Sequence, residues 1–153
     1  MEQRERNQEL LIELADFIET LSDKQPDLRR ARHQNERAQL PQMFNMNAWN
    51  TQFKCGTVAC IGGTLDAMLN RKADHIFHTF YMEDQARELG ITQTQYDYLC
   101  EPYGVYWDSI KSQTAAKSLR LLARDDCPIE LDKHFWINMQ THAPEIEIIP
   151  EPV

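Results

Sequence analysis

The residue types best suited to chemistry gather in the middle of the chain, in the string Cys55-Gly56-Thr57-Val58-Ala59-Cys60. Val58, Ile61, Leu65, Met68 and Leu69 repeat at three and four residues and predict a helix from Gly56 to Arg71. That places Cys55 at a helix mouth, where free N–H groups and the positive end of the helix dipole stabilise a thiolate. Gly56 would let a substrate backbone approach, and the Thr57 hydroxyl could donate a hydrogen bond. A cysteine nucleophile also needs a base, for which His75, His78 and His134 are the candidates, and no local signature selects one. His75 and His78 are also spaced to chelate a transition metal on one helical face, with Asp74 or Cys55 completing the set.

The same residues suit packing. A small, soft side chain beside a glycine fits an inward-pointing helix start beneath Trp49 and Phe53, and free cysteine is among the most buried residue types. Cys60 would lie about 140° around an ideal helix from Cys55, so the two share no face. The spacings among Cys55, Cys60, Cys100 and Cys127 match no paired zinc pattern, and the chain is long enough to bury a core without disulfides. Free thiols are expected, no metal or cofactor is assigned, and packing is adopted for Cys55 over catalysis.

The elements around this segment read as helical. Leu10, Leu14, Phe17, Ile18 and Leu21 form an apolar stripe over residues 5–21. Residues 22–41 form a polar, basic connection between helices. A short helix runs from about Glu83 to Leu89 and stops at Gly90, a residue type suited to the left-handed terminating conformation. Thr92 and Gln95 spell a capping box for the next helix, with Ile91 and Tyr96 placed as a hydrophobic staple. Ser112 to Ala123 forms another helix, and Pro128 suits the first turn of a last one carrying Leu131, Phe135 and Met139. Nothing alternates with strand periodicity except the tail EIEIIP. Gly62 and Gly63 mark a close crossing by a neighbouring helix. The expected architecture is therefore all-α, one compact domain over residues 1–143 with five to six helices around the one starting near Gly56, followed by a Pro-rich acidic tail over 144–153.

The segment from Phe44 to Gly63 resembles a motif of a family of small, largely uncharacterised bacterial and phage proteins, F-x-M-x-x-W followed by C-G-T-x-A-C-x-x-G. The matching positions are Phe44, Met46, Trp49, Cys55, Gly56, Thr57, Ala59, Cys60 and Gly63. Further matches are Leu11, Leu14, Ala15, Phe17 and Ile18 upstream, the turn from Ala86 to Thr92, and the helix from Ala115 to Ala123. The resemblance implies a bacterial or phage origin and brings no established activity with it.

Charge narrows the partner. The formal net charge is −8, and phosphate binding draws on clustered Lys and Arg. The one such cluster is Arg29, Arg30, Arg32 and Arg37, so general nucleic-acid binding is not expected. No apolar run reaches the roughly 20 residues of a membrane span, and the N-terminus lacks a signal-like apolar core, so a cytoplasmic location is expected. Tyr96, Tyr98, Tyr103, Tyr106 and Trp107 gather near Glu101 and Asp108, supplying large rigid contact area in an acidic setting. The leading expectation is a non-enzymatic intracellular binding protein whose partner, another protein, meets Tyr96, Tyr103, Tyr106, Trp107, Glu101 and Asp108. The alternatives are a cysteine-dependent hydrolase or transferase using Cys55 with His75 or His78, and a small metal-binding protein.

Overall fold

In the computed structural model the described residues are 5–24, 33–35, 37–53, 56–72 and 82–142. The basic residues Arg29, Arg30 and Arg32 and the tail 144–153 lie outside them; Arg37 is inside and exposed.

The first helix, α1 (Gln8–Glu19), starts where the Asn7 side chain accepts the Leu10 N–H, and it buries Leu10, Leu11, Leu14, Ala15 and Ile18. It packs most extensively on α5 (Ser112–Leu122), which offers Ala115, Ala116, Leu119 and Leu122. The alanines keep the apolar surface of α5 shallow enough for a second helix to lie close. Arg120 ties the outer edge of this pair to Asp16 and Glu19 at 2.9 and 2.6 Å, a surface arrangement of small energetic weight.

Between these helices in sequence lie four short strands: β1 (His33–Gln34), β2 (Met43–Phe44), β3 (Asn50–Phe53) and β4 (Gly56–Ala59). They form one mixed sheet in the order β1-β3-β4-β2, with β1/β3 and β3/β4 antiparallel and β2/β4 parallel. The fold is thus mostly helical but not all-α. Strands of two to four residues are too short to display alternation, and in β4 the last three residues are all buried, which erases the period-two pattern.

The sheet also moves the start of the central helix. Gly56 to Ala59 pair with Phe53 to Asn50, so the helix, α2 (Ile61–Lys72), begins five residues later than the apolar spacing suggests. Every residue from Ile61 to Asn70 is buried, including Thr64, Asp66 and Asn70. The Asn70 amide bridges back to the Asp66 carboxylate at 2.8 Å, so two polar residues outside the apolar stripe are accommodated inside.

Gly63 does mark a close crossing, but the neighbour is the chain entering β3 rather than a helix. A methyl group added at Gly63 would fall on the Trp49 carbonyl oxygen, and one at Gly62 would strike the Trp49 ring and stand 2.8 Å from the Tyr96 hydroxyl. Asn50 completes the junction. Its amide donates to the Gly63 and Gln39 carbonyls (3.1 and 2.8 Å), and its oxygen accepts from the Gln39 N–H and the Asn35 amide (3.0 and 2.8 Å). Two donors and two acceptor sites of one buried side chain are all used.

The remaining helices are α3 (Met82–Leu89), α4 (Gln93–Cys100) and α6 (Phe135–His142). Gly90 terminates α3 with φ of +73°, and the Thr92–Gln95 capping box forms in both directions at 3.1 and 3.0 Å. The last helix starts at Phe135 instead of near Pro128, because the Asp132 carboxylate and carbonyl collect the N–H groups of His134 and Phe135 and set the boundary there. Trp136 then locks α6 to α4 by donating to the Leu99 carbonyl at 3.0 Å.

Gly63→Ala should destabilise the protein by about 3 kcal/mol in urea unfolding, since the obstruction is backbone that must itself move. Asn50→Ala should cost about 2–3 kcal/mol by leaving buried partners unsatisfied.

Candidate functional site

Cys55, Asp74, His75 and His78 lie outside the described residues. The thiol that the structure does place at the mouth of α2 is Cys60. Its carbonyl accepts the Thr64 N–H at 3.0 Å, its sulfur accepts the Gly63 N–H at 3.4 Å, and its thiol faces the Trp49 carbonyl at 3.9 Å. The helix start that the apolar spacing assigns next to Cys55 lies instead at Cys60. Activation does not follow, because burial pushes this thiol up to about 11, outweighing the N–H groups that favour the thiolate. Cys100 is likewise buried and pushed well above the ordinary thiol range, first by burial and then by the proximity of Cys60. Cys127 is half-buried and donates to the Ile129 carbonyl at 3.2 Å. His134 is exposed on the turn before α6. Among the described residues no group of three or more His, Cys, Asp or Glu is placed to hold a metal ion.

The other motif residues are occupied in building the fold. Phe44 and Met46 are buried in the main core, and Trp49 packs at its margin. The Thr57 hydroxyl donates to Gln52 Oε1 at 3.0 Å and its N–H donates to Gln42 Oε1 at 2.9 Å, so both donors are spent within the sheet region. Gly56 sits opposite the same Gln42 side chain.

The aromatic stretch divides sharply. Tyr96 is 1% exposed and donates to Gln85 Oε1 at 2.6 Å; it belongs to the core, which corrects its expected place on a binding surface. Its position on the inward face of α4 follows from the staple spacing that the capping box itself announces. Trp107 is half-buried, packs against the core, and donates its indole N–H to the Pro102 carbonyl at 2.7 Å. Tyr103 and Tyr106 are 58% and 87% exposed, and Glu101 and Asp108 are exposed beside them in the chain.

Two residues that composition did not single out hold this stretch in place. The Asn45 amide donates to Asp108 Oδ1 at 3.2 Å, and the Asn47 amide donates to the same oxygen. Asn45 in turn accepts the Asn47 N–H at 2.7 Å. Beyond Asp108, Ser109 donates to the Tyr106 carbonyl and accepts from Gln140 of α6 at 2.9 Å, and Lys111 Nζ donates to the Asp108 carbonyl at 3.2 Å. The asparagine density of Phe44-Asn45-Met46-Asn47-Ala48-Trp49-Asn50 was the available signal, since short amides repeatedly serve turns and side-chain networks. The result is an ordered projection anchored at both ends that presents two tyrosines and a carboxylate.

No family model matches the chain, and no curated protein and no solved structure shows significant similarity to it. No helix among the described residues is long and apolar enough to cross a membrane.

Cysteine labelling read by peptide mass spectrometry should find Cys60 and Cys100 protected in the native protein and reactive after unfolding. The raised Cys60 value also has a direction in pH. The folded protein keeps that proton up to about pH 11 while the ordinary thiol releases it near 9.0, so the stabilisation is intact below 9 and is lost as pH rises toward 11. Urea unfolding across this window should show a shallower decline for Cys60→Ala than for the native sequence.

Proposed function

We propose that the protein is a non-enzymatic binding module that engages another protein through the projection from Glu101 to Asp108. The observation that carries this reading is Tyr106, a large aromatic side chain 87% exposed on a segment held by the Trp107–Pro102 and Ser109–Tyr106 hydrogen bonds. An exposed aromatic side chain on a hydrogen-bonded segment offers contact area without a large backbone-ordering cost on binding. Tyrosine suits this use because a rigid apolar ring and a polar tip meet a mixed protein surface. The exposed Glu101 and Asp108, within a stretch of chain holding two basic and seven acidic residues from Lys72 to Ile110, favour a basic partner surface by raising the encounter rate.

A bacterial or phage setting, implied by the resemblance of the Phe44–Gly63 segment, makes a bacterial lysate the appropriate source of partners. Immobilised protein should retain a defined set of proteins, and Tyr106→Ser should lose them while changing unfolding stability by no more than about 0.5 kcal/mol, as expected for an exposed site. Trp107→Ala is a poorer probe, because it opens the core margin and frees the Pro102 carbonyl. Unchanged retention by Tyr106→Ser would remove the projection as the binding surface.

A further inference from the structure

The exposed tyrosine does not stand alone. Behind it lies a shallow cleft of about 320 Å3 lined by Asn47, Val105, Tyr106, Trp107 and Asp108. That volume is at the low end for a small-molecule pocket. It has room for one long side chain.

The chemistry of the lining selects the side chain. Asp108 Oδ1 is saturated by the Asn45 and Asn47 amides, which fix the orientation of the carboxylate. Among the described residues Oδ2 receives no hydrogen bond. The cation nearest in the network, Lys111, is spent on the Asp108 backbone carbonyl rather than on the carboxylate. Tyr106 and Trp107 supply aromatic walls, and aromatic faces attract cations. A planar guanidinium can stack on such a wall while donating in its own plane to a carboxylate oxygen, a combination that a compact, strongly hydrated ammonium matches poorly.

Resting on the binding reading above, we propose that this cleft is an arginine-recognition site, in which one arginine of the partner protein stacks on Tyr106 and donates to Asp108 Oδ2. The two parts of the site then act differently: Tyr106 supplies contact area to any partner, whereas Asp108 selects the charge. Lys111 opposes the incoming cation, so its removal strengthens binding.

The test uses the full chain and a short blocked peptide containing one arginine, with the same peptide containing neutral citrulline as the control. The indole N–H resonance of Trp107, which reports on the cleft through its bond to Pro102, is followed during titration. The arginine peptide should shift it saturably, with binding about fivefold weaker for citrulline, about fivefold weaker for Asp108→Asn, and tighter for Lys111→Met. Asparagine can still accept from Asn45 and Asn47 through its carbonyl oxygen, so this variant keeps the projection in place, and the citrulline arm needs no variant at all. Equal binding of the arginine and citrulline peptides, or no shift with either, overturns the arginine site. The binding reading fails separately, through retention of lysate partners by Tyr106→Ser.

Discussion

The fold depends on one close approach, the passage of Trp49 and Asn50 directly over Gly62 and Gly63. Helix α2 is buried from Ile61 to Asn70, so the chain entering β3 must lie against the helix backbone, and only glycines leave space for it. Once the backbones are that close, the carbonyl of Gly63 needs a donor, which Asn50 supplies while using its remaining hydrogen-bonding capacity on residues 35 and 39. A single amide side chain thereby joins α2, β3 and the segment leading into β2. Desolvating so many polar groups is tolerable because each finds a partner; losing one would leave several unsatisfied in the interior.

The same junction decides the character of the cysteine at the helix mouth. A helix N-terminus favours a thiolate, and an exposed Cys60 there would be a plausible nucleophile. The crossing brings the Trp49 carbonyl up to the sulfur and excludes water, so desolvation outweighs the dipole and the thiol stays neutral. Position on a helix and reactivity are thus separate properties. The tertiary environment converts a site geometrically suited to catalysis into a cap that terminates the strand and starts the helix.

The projection that carries the proposed function is linked to this junction through the asparagines that precede it. Asn45 and Asn47, just after β2, reach across to Asp108, while Ser109 is held from α6. Helix α6 is itself pinned to α4 by Trp136. The tyrosines are displayed on a loop, but the loop is clamped between the sheet region and the last helix. That arrangement limits the conformational freedom a partner would have to remove, which is the physical basis for reading exposed aromatic area here as a binding surface.

Local signals were legible in the sequence where local physics determines structure. The stripe from Leu10 to Ile18, the stop at Gly90 and the Thr92–Gln95 capping box each depend on residues within one or two helical turns, and each forms, with Leu21 buried just beyond the helix end at Glu19. Gly63 also announced a crossing, since a glycine in a buried helix needs a reason. What crosses it could not be read from spacing, because strand pairing joins residues by register between segments and these strands are too short to leave a periodic trace. For that reason the chain from Gly56 to Ala59, apolar at helical spacing, is drawn into the sheet. The capping-box spacing already sets Tyr96 on the inward face of α4, whereas only the tertiary structure decided that Tyr103 and Tyr106 stay exposed. An inward helical face beside Gln85 buries the first, while the chain between α4 and α5 leaves the other two exposed.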